Sequence, residues 1–289
     1  MTKILVTGAT GVVGKSTIEH LLKKNVPASQ VIGLARNKEK LKDLAAKGVE
    51  ILEGDYLDYN SLLRAFEGVD KIMLTSAIAF TDRFTQHYNV ITAARQMGVK
   101  HVFYMSIMRK EGSGRIMSEV TESDLFTEQV LKSSGLDYTI LYHPPFADLL
   151  SSYYGPNPFE TEIQVPANKG KMAPATRDEL AEAHAEILST PGHENKTYSL
   201  GGSHAISFSD IAKILSEIKG QPVPFTTITA QDYIDGIVGQ GVPRHVAEFI
   251  TGWVLAIEGG EFEHQSGDLE RLLGRKTKTF KELMEPTLV

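Results

Sequence analysis

The chain has 289 residues, 42% hydrophobic and 23% charged, a globular composition that can bury one large α/β core or a core with a smaller lobe. Its formal charge of −6 argues against a nucleic-acid partner, which usually meets a basic face. With no cysteine, disulfides, thiolate nucleophiles and cysteine-ligated metals are excluded.

The opening Met-Thr-Lys-Ile-Leu-Val runs straight into glycines, without the apolar core of a secretion signal. No apolar run approaches the length of a bilayer span, so the expectation is a cytoplasmic protein with no membrane partner. Short apolar runs predict strands at 3–6, 30–34, 49–53, 71–74, 101–104 and 137–142. Helical spacing lies between them: Ile18, Leu21 and Leu22 share one face, and Phe84, Tyr88 and Ile91 another. This alternation predicts a doubly wound parallel sheet of the Rossmann type, with functional loops at the carboxyl ends of its strands.

After Tyr142 the rhythm changes. His143-Pro144-Pro145-Phe146 cannot continue a central strand, because proline has no N–H to donate. Residues 151–174 read as a proline-rich excursion, 177–188 as a helix and 196–200 as a returning strand. From Ser207 the pattern is mostly helical, with a short strand at 223–226. The predicted division is a nucleotide-binding domain at 1–150, rejoined by 175–202, and a smaller, mostly helical substrate lobe at 151–174 and 203–289.

The first strand runs into Thr7-Gly8-Ala9-Thr10-Gly11-Val12-Val13-Gly14. In a G-x-x-G-x-x-G turn the first glycine permits the sharp turn, the second lets backbone approach a pyrophosphate, and the third lets helix pack on strand. Gly8, Thr10, Gly11, Val12, Val13 and Gly14 are therefore candidate cofactor residues, with the helix N-terminus facing the phosphates. Gly14-Lys15-Ser16 also resembles the end of a triphosphate-binding loop, but that motif needs glycine where Ala9 stands, and no magnesium-binding strand accompanies it. The second strand ends Leu34-Ala35-Arg36-Asn37. NAD binders carry an acid near this point for the ribose 2′-hydroxyl; Arg36 instead suits a 2′-phosphate and predicts NADP(H).

Thr7–Gly14, Gly33-Leu34-Ala35-Arg36-Asn37, Gly54-Asp55-Tyr56 and Gly98-Val99-Lys100-His101 together resemble the NmrA-like branch of the atypical short-chain dehydrogenases/reductases. Gly135-Leu136-Asp137-Tyr138-Thr139, Ala175-Thr176-Arg177 and Gly192-His193-Glu194-Asn195-Lys196 extend the likeness over nearly the whole chain. Within the branch it is similar to NAD(P)H:quinone oxidoreductases and triphenylmethane dye reductases. The resemblance implies that Asp55 and Tyr56 sit by the adenine and that Thr75, Ser76 and Ala77 line the cofactor. It puts Ser106 where the superfamily often has a catalytic serine, and Tyr142 to Phe146 beside nicotinamide and substrate.

The chain departs from the superfamily at one point. None of its ten tyrosines is followed by lysine four positions on, and the matching helix carries Asp124-x-x-x-Glu128 instead. Two carboxylates cannot reproduce a cation-activated phenol, so alcohol dehydrogenase and sugar epimerase chemistry lose support. A quinone or dye cation is already electrophilic and needs orientation more than acid catalysis. The expected function is an NADPH-dependent oxidoreductase passing hydride to such a planar electrophile, with Phe80, Phe84, Tyr142, Pro145 and Phe146 lining the substrate pocket. Alternatives are a non-catalytic NADP(H) redox sensor, or a reductase of other carbonyl or imine compounds using His143 or Ser106. His143 reads more readily as a histidine bonded to backbone at a strand exit than as a proton donor. The histidine spacing offers no metal site, so none is expected. The oligomeric state is left open, a homodimer included.

Overall fold

The computed structural model describes residues 2–157 and 159–288. In chain order it runs β1 (Ile4–Val6), α1 (Val12–Lys23), β2 (Val31–Ala35), α2 (Lys42–Ala46), β3 (Glu50–Glu53), α3 (Tyr59–Ala65), β4 (Lys71–Leu74), α4 (Arg83–Gln96), β5 (His101–Ile107), α5 (Thr121–Ser133) and β6 (Asp137–His143). There follow α6 (Ser151–Tyr154), β7 (Ile163–Val165), β8 (Lys171–Met172), α7 (Arg177–Ser189), β9 (Lys196–Ser199), β10 (Ile206–Ser207), α8 (Phe208–Lys219) and β11 (Phe225–Thr227). Then come α9 (Ala230–Gly239), α10 (Arg244–Glu258), α11 (Asp268–Leu273) and α12 (Phe280–Met284).

The chain folds into two compact units. The first holds residues 1–107, 120–143 and 177–198. Its seven-stranded sheet has the order β3-β2-β1-β4-β5-β6-β9, and the pairs from β3 through β6 are parallel. The order reverses between β1 and β4, the switch point of a Rossmann-type doubly wound sheet. The strand β4 coincides with its predicted run, and the others begin or end within three residues of theirs.

Helices cover both faces. On β6, Tyr142 reaches α5 while the next residue, His143, reaches α7, as strand alternation requires. Helix α1 packs on α7, and α3, α4 and α5 pack in sequence. Beneath the latter three lies a core that includes Leu5, Ile32, Leu34, Phe66, Ile72, Val90, Val102 and Leu131.

One helix face differs from its sequence expectation. Phe84 and Tyr88 are exposed at 44% and 48%, and only Ile91 of the proposed apolar stripe is buried. Helix α4 instead turns Arg83 and His87 inward with Val90, Ile91 and Ala94. Hydropathy assigns this helix the wrong side because its buried polar groups find partners on α5 and on the loop after β4.

The second unit holds residues 108–119, 144–176 and 199–289. The strand rhythm gave no sign that 108–119 groups with it. Here β7 pairs parallel with β11, and β8 antiparallel with β10. Ser207 and Asp210 form a reciprocal capping box that starts α8, satisfying N–H groups the first turn would leave open. Trp253 stacks on Phe262 at 5.5 Å. Among the described residues, no helix is long and apolar enough to cross a membrane.

Candidate cofactor cleft

At the switch point the chain leaves β1 through the glycine turn. Gly8 has φ +60°, a conformation that side-chain-bearing residues rarely adopt. The Gly11 N–H closes the turn onto the Gly8 carbonyl at 2.9 Å. At Gly14 a Cβ would stand 2.4 Å from that same carbonyl oxygen, so only glycine lets α1 approach β1 this closely. Gly11 caps α1 without any side-chain hydrogen bond. The first-turn N–H groups of a helix have no intrahelical partner, so this end can accept an anion. Val13 is buried beneath the turn, whereas Val12 is 54% exposed.

The triphosphate-loop alternative does not fit this geometry. Lys15 Nζ pairs with Asp43 at 2.6 Å, and Ser16 Oγ donates to Asp178 at 2.5 Å. Both side chains are engaged with neighbouring helices.

Across the switch point, β1 and β4 are knotted together. Thr75 N donates to Thr7 Oγ1 at 2.9 Å, and Thr75 Oγ1 to the Thr7 carbonyl at 3.0 Å. The Tyr56 hydroxyl, arriving from the end of β3, lies 2.5 Å from Thr7 Oγ1 and 2.9 Å from the Thr75 carbonyl. Burial pushes the Tyr56 phenol pKa up, so the group stays neutral. Asp55 Oδ1 accepts the Leu57 N–H at 2.9 Å.

These elements frame a cleft of about 280 Å³. Gly8, Thr10, Gly11, Arg36, Asp55, Tyr56, Thr75, Ser76 and Ala77 all line it. The structure adds Ile78, Thr81 and Gln86, from the loop after β4 and the start of α4, which no sequence motif marks. A second cavity, about 480 Å³, adjoins it and shares Arg36, Gly54 and Asp55. Lys38 and Arg64 line this cavity too, together with the carboxylates Glu53, Asp55 and Asp58, so three cations and three acids share it near the tip of β2. Arg64 comes from α3, far from the motif in sequence, and an arginine on a short helix carries no local signal of a site.

The loop after β4 is fixed from below. Ser76 Oγ donates to the Met105 carbonyl. His87 Nε2 accepts the Ala77 N–H at 2.9 Å, and Arg83 Nη1 donates to the Ala77 carbonyl. Because a peptide N–H only donates, the His87 ring carries its proton on Nδ1, which faces Thr127 Oγ1 at 2.9 Å. Burial, helped by the Arg83 charge, lowers the His87 pKa to about 3, so the ring is neutral.

The two carboxylates that replace the expected Tyr-Lys pair are both buried. Asp124 Oδ1 accepts from Arg83 Nη2 at 2.5 Å and from the Tyr104 hydroxyl at 2.6 Å. Glu128 accepts from Ser106 Oγ at 2.7 Å and from the Tyr142 hydroxyl at 3.1 Å. The Ser106 proton is thus directed at Glu128. His143 is 3% exposed and turns to the other face of the sheet, where its Nε2 lies 2.9 Å from His184 Nε2. Burial, with His184 adding to it, holds the His143 pKa well below its ordinary value.

Of the expected substrate aromatics in the first unit, Phe80 and Phe84 are each 44% exposed and Tyr142 is half-buried. Phe84 meets Phe126 with ring centroids 5.2 Å apart. Phe80 has φ +63°, uncommon for a bulky residue. Pro145 is buried and Phe146 half-buried in the second unit, where Phe146 bridges to Ala175.

A doubly wound sheet with a glycine turn at its switch point and cations at the β2 tip defines a dinucleotide-binding reductase-type fold. The family model for the NmrA-like family matches residues 1–288, and the chain belongs to that family. It is 35% identical over 283 residues to quinone oxidoreductase 2 of Escherichia coli, with 96% of each chain covered. The crystal structure of the E. coli NADPH-dependent quinone oxidoreductase complexed with NADPH superposes with a TM-score of 0.92, at 32% identity over 99% of this chain and 100% of that one. That of Citrobacter sp. triphenylmethane reductase complexed with NADP(H) gives 0.90, at 36% identity over 99% and 100%.

Proposed function

We propose that this protein is a cytoplasmic NADPH-dependent oxidoreductase that passes a hydride to a planar electrophile such as a quinone or a dye. The observation that carries this reading is the Gly8–Gly14 turn opening onto a cleft lined by Arg36, with Lys38 and Arg64 in the cavity that adjoins it. The named relatives, a quinone oxidoreductase and a triphenylmethane reductase solved with the same cofactor type, support it.

In this reading Gly8, Thr10 and Gly11, with the first-turn amides of Val12, Val13 and Gly14, hold the pyrophosphate. Arg36 grips the 2′-phosphate, and Lys38 and Arg64 lend their charge to the same cavity. Asp55 and Tyr56 flank the adenine, and Thr75, Ser76 and Ala77 support the nicotinamide half. NADPH, when bound, supplies the hydride. Phe80, Phe84 and Tyr142 provide apolar surface for a planar substrate. Neither Ser106 nor His143 serves as a proton donor: one hydroxyl is spent on Glu128, and the imidazole is buried and neutral. A quinone or dye needs no such group, because its proton comes from water after hydride arrives. Small planar molecules are the partners, with no nucleic acid or membrane.

The test is steady-state oxidation of NADPH and NADH with and without a simple quinone. The expected outcome is quinone-dependent turnover and at least about tenfold tighter use of NADPH, equivalent to about 1.4 kcal/mol. Tight NADPH binding with no oxidation across quinones, dyes and carbonyls would favour a redox sensor.

A further inference from the structure

The buried polar cluster under the loop after β4 joins α4 to α5 and also reaches the loop itself. Arg83 and His87 stand one turn apart on α4, and both reach the same residue: one holds the Ala77 carbonyl, the other its N–H. Each is held in turn from α5. Arg83 Nε donates to Ser123 Oγ at 2.8 Å and Nη2 to Asp124. His87 faces Thr127 Oγ1, which donates to the Ser123 carbonyl at 2.6 Å. Arg83, His87, Tyr104, Asp124 and Thr127 are all buried. Ala77 lies between two cleft-lining neighbours, Ser76 and Ile78.

We propose that Asp124, acting through Arg83 and seconded by the His87–Thr127 pair, positions the Ser76–Ala77 backbone so that the cleft accepts the nicotinamide half of the cofactor. The proposal rests on the NADPH-binding role of the cleft. By the resemblance, Asp124 opens the Asp124-x-x-x-Glu128 spacing that corresponds to the superfamily's Tyr-x-x-x-Lys. Here the carboxylate touches a guanidinium and a phenol, and its effect on the reaction passes through the backbone of Ala77. Asp124 is a positioning residue.

The geometry predicts a kinetic pattern. A displaced Ala77 backbone weakens the nicotinamide half of the cleft and leaves the cation cavity at the β2 tip untouched. NADPH and NADH should therefore suffer equally. A role confined to fold stability would lower the fraction of active protein and leave the KM of the survivors unchanged.

The experiment compares the parent with Asp124→Asn and, in case that variant fails to fold, Thr127→Val, which keeps volume and removes the partner of His87. Kd for NADPH and NADH is read by nicotinamide fluorescence, and KM and kcat with a simple quinone, on protein whose circular dichroism matches the parent. Asp124→Asn should raise Kd and KM for both cofactors by about tenfold, with kcat falling less than KM rises, and Thr127→Val should do the same by about threefold. Cofactor constants within twofold of the parent in whichever variants fold would overturn the proposal. So would a loss confined to NADPH, which would place the effect at the phosphate end. Failure of the unmutated protein to bind NADPH would instead overturn the proposed function, and is read in the same titration before any variant is made.

Discussion

The glycine turn and the loop after β4 line one cleft and are built in opposite ways. The turn is shaped by what it lacks: at Gly14 a single Cβ would collide with the Gly8 carbonyl, and no side chain caps the helix that follows. The loop is shaped by what lies under it, a set of buried charged and polar side chains that hold both backbone polar atoms of Ala77. Backbone geometry of the first kind tolerates no substitution and ignores pH. A buried polar scaffold depends on every partner being present and keeping its protonation state.

Acid should separate the two most widely. His87 is buried with its pKa lowered to about 3, whereas an unfolded histidine titrates near its ordinary 6.5. Below pH 6.5 the unfolded chain takes up protons that the folded chain refuses, so stability is full above that pH and falls as pH drops toward 3. His87 contributes a slope of about 1.4 kcal/mol per pH unit. Urea denaturation at pH 7, 6 and 5 measures it, and His87→Gln should flatten the slope. An unchanged slope would mean that His87 is not held neutral in the fold.

Removing one partner of the buried ion pair is the next largest effect. Asp124→Leu leaves the Arg83 guanidinium uncompensated and should cost about 3–5 kcal/mol in chemical denaturation. The double variant Arg83→Met, Asp124→Leu should recover most of it. Equal losses in the single and double variants would show that packing, rather than charge, is at stake. On the other side of the comparison, Gly14→Val should weaken NADPH binding by about a hundredfold, or about 2.7 kcal/mol, because α1 must back away from β1. Isothermal titration reads this directly, and binding close to that of the parent would remove the turn from the site.

The difference between the regions also explains what could be read from the chain. The turn is contiguous and its glycines are required by local geometry, so the spacing of Gly8, Gly11 and Gly14 was enough to place it. The strands were legible for a similar reason, since each is a short apolar run ended by a turn. The scaffold is scattered over α4, β5 and α5, and its members look like surface residues until their partners are known. The apolar spacing of Phe84 and Tyr88 pointed away from the buried side of α4, because Arg83 and His87 are buried only by virtue of Asp124, Ser123 and Thr127. The Asp124-x-x-x-Glu128 spacing was visible as a missing catalytic pair. Its present use, one carboxylate on Arg83 and the other on Ser106 and Tyr142, required the fold.

Two smaller effects sharpen the account of chemistry. Arg36→Ala should erase most of the preference for NADPH over NADH, about tenfold, measured as the ratio of kcat/KM for the two cofactors. A retained preference would transfer the role to Lys38 or Arg64. Glu128→Gln should hold kcat within a few-fold of the parent, against the roughly 10²–10⁴-fold loss expected of a general acid. A loss in that range would make the carboxylate a proton donor after all.

The central claim is hydride transfer from NADPH to a planar electrophile without help from a protein acid. Its most direct test is a single-turnover experiment, mixing the NADPH-loaded protein with excess quinone and following nicotinamide absorbance, with NADPH deuterated at C4 on the transferred face in parallel. The account predicts consumption of NADPH mole for mole with quinone, slowed several-fold by deuterium. Nicotinamide absorbance that stays constant after mixing with every quinone and dye tried, in protein shown to be loaded with NADPH, would contradict it.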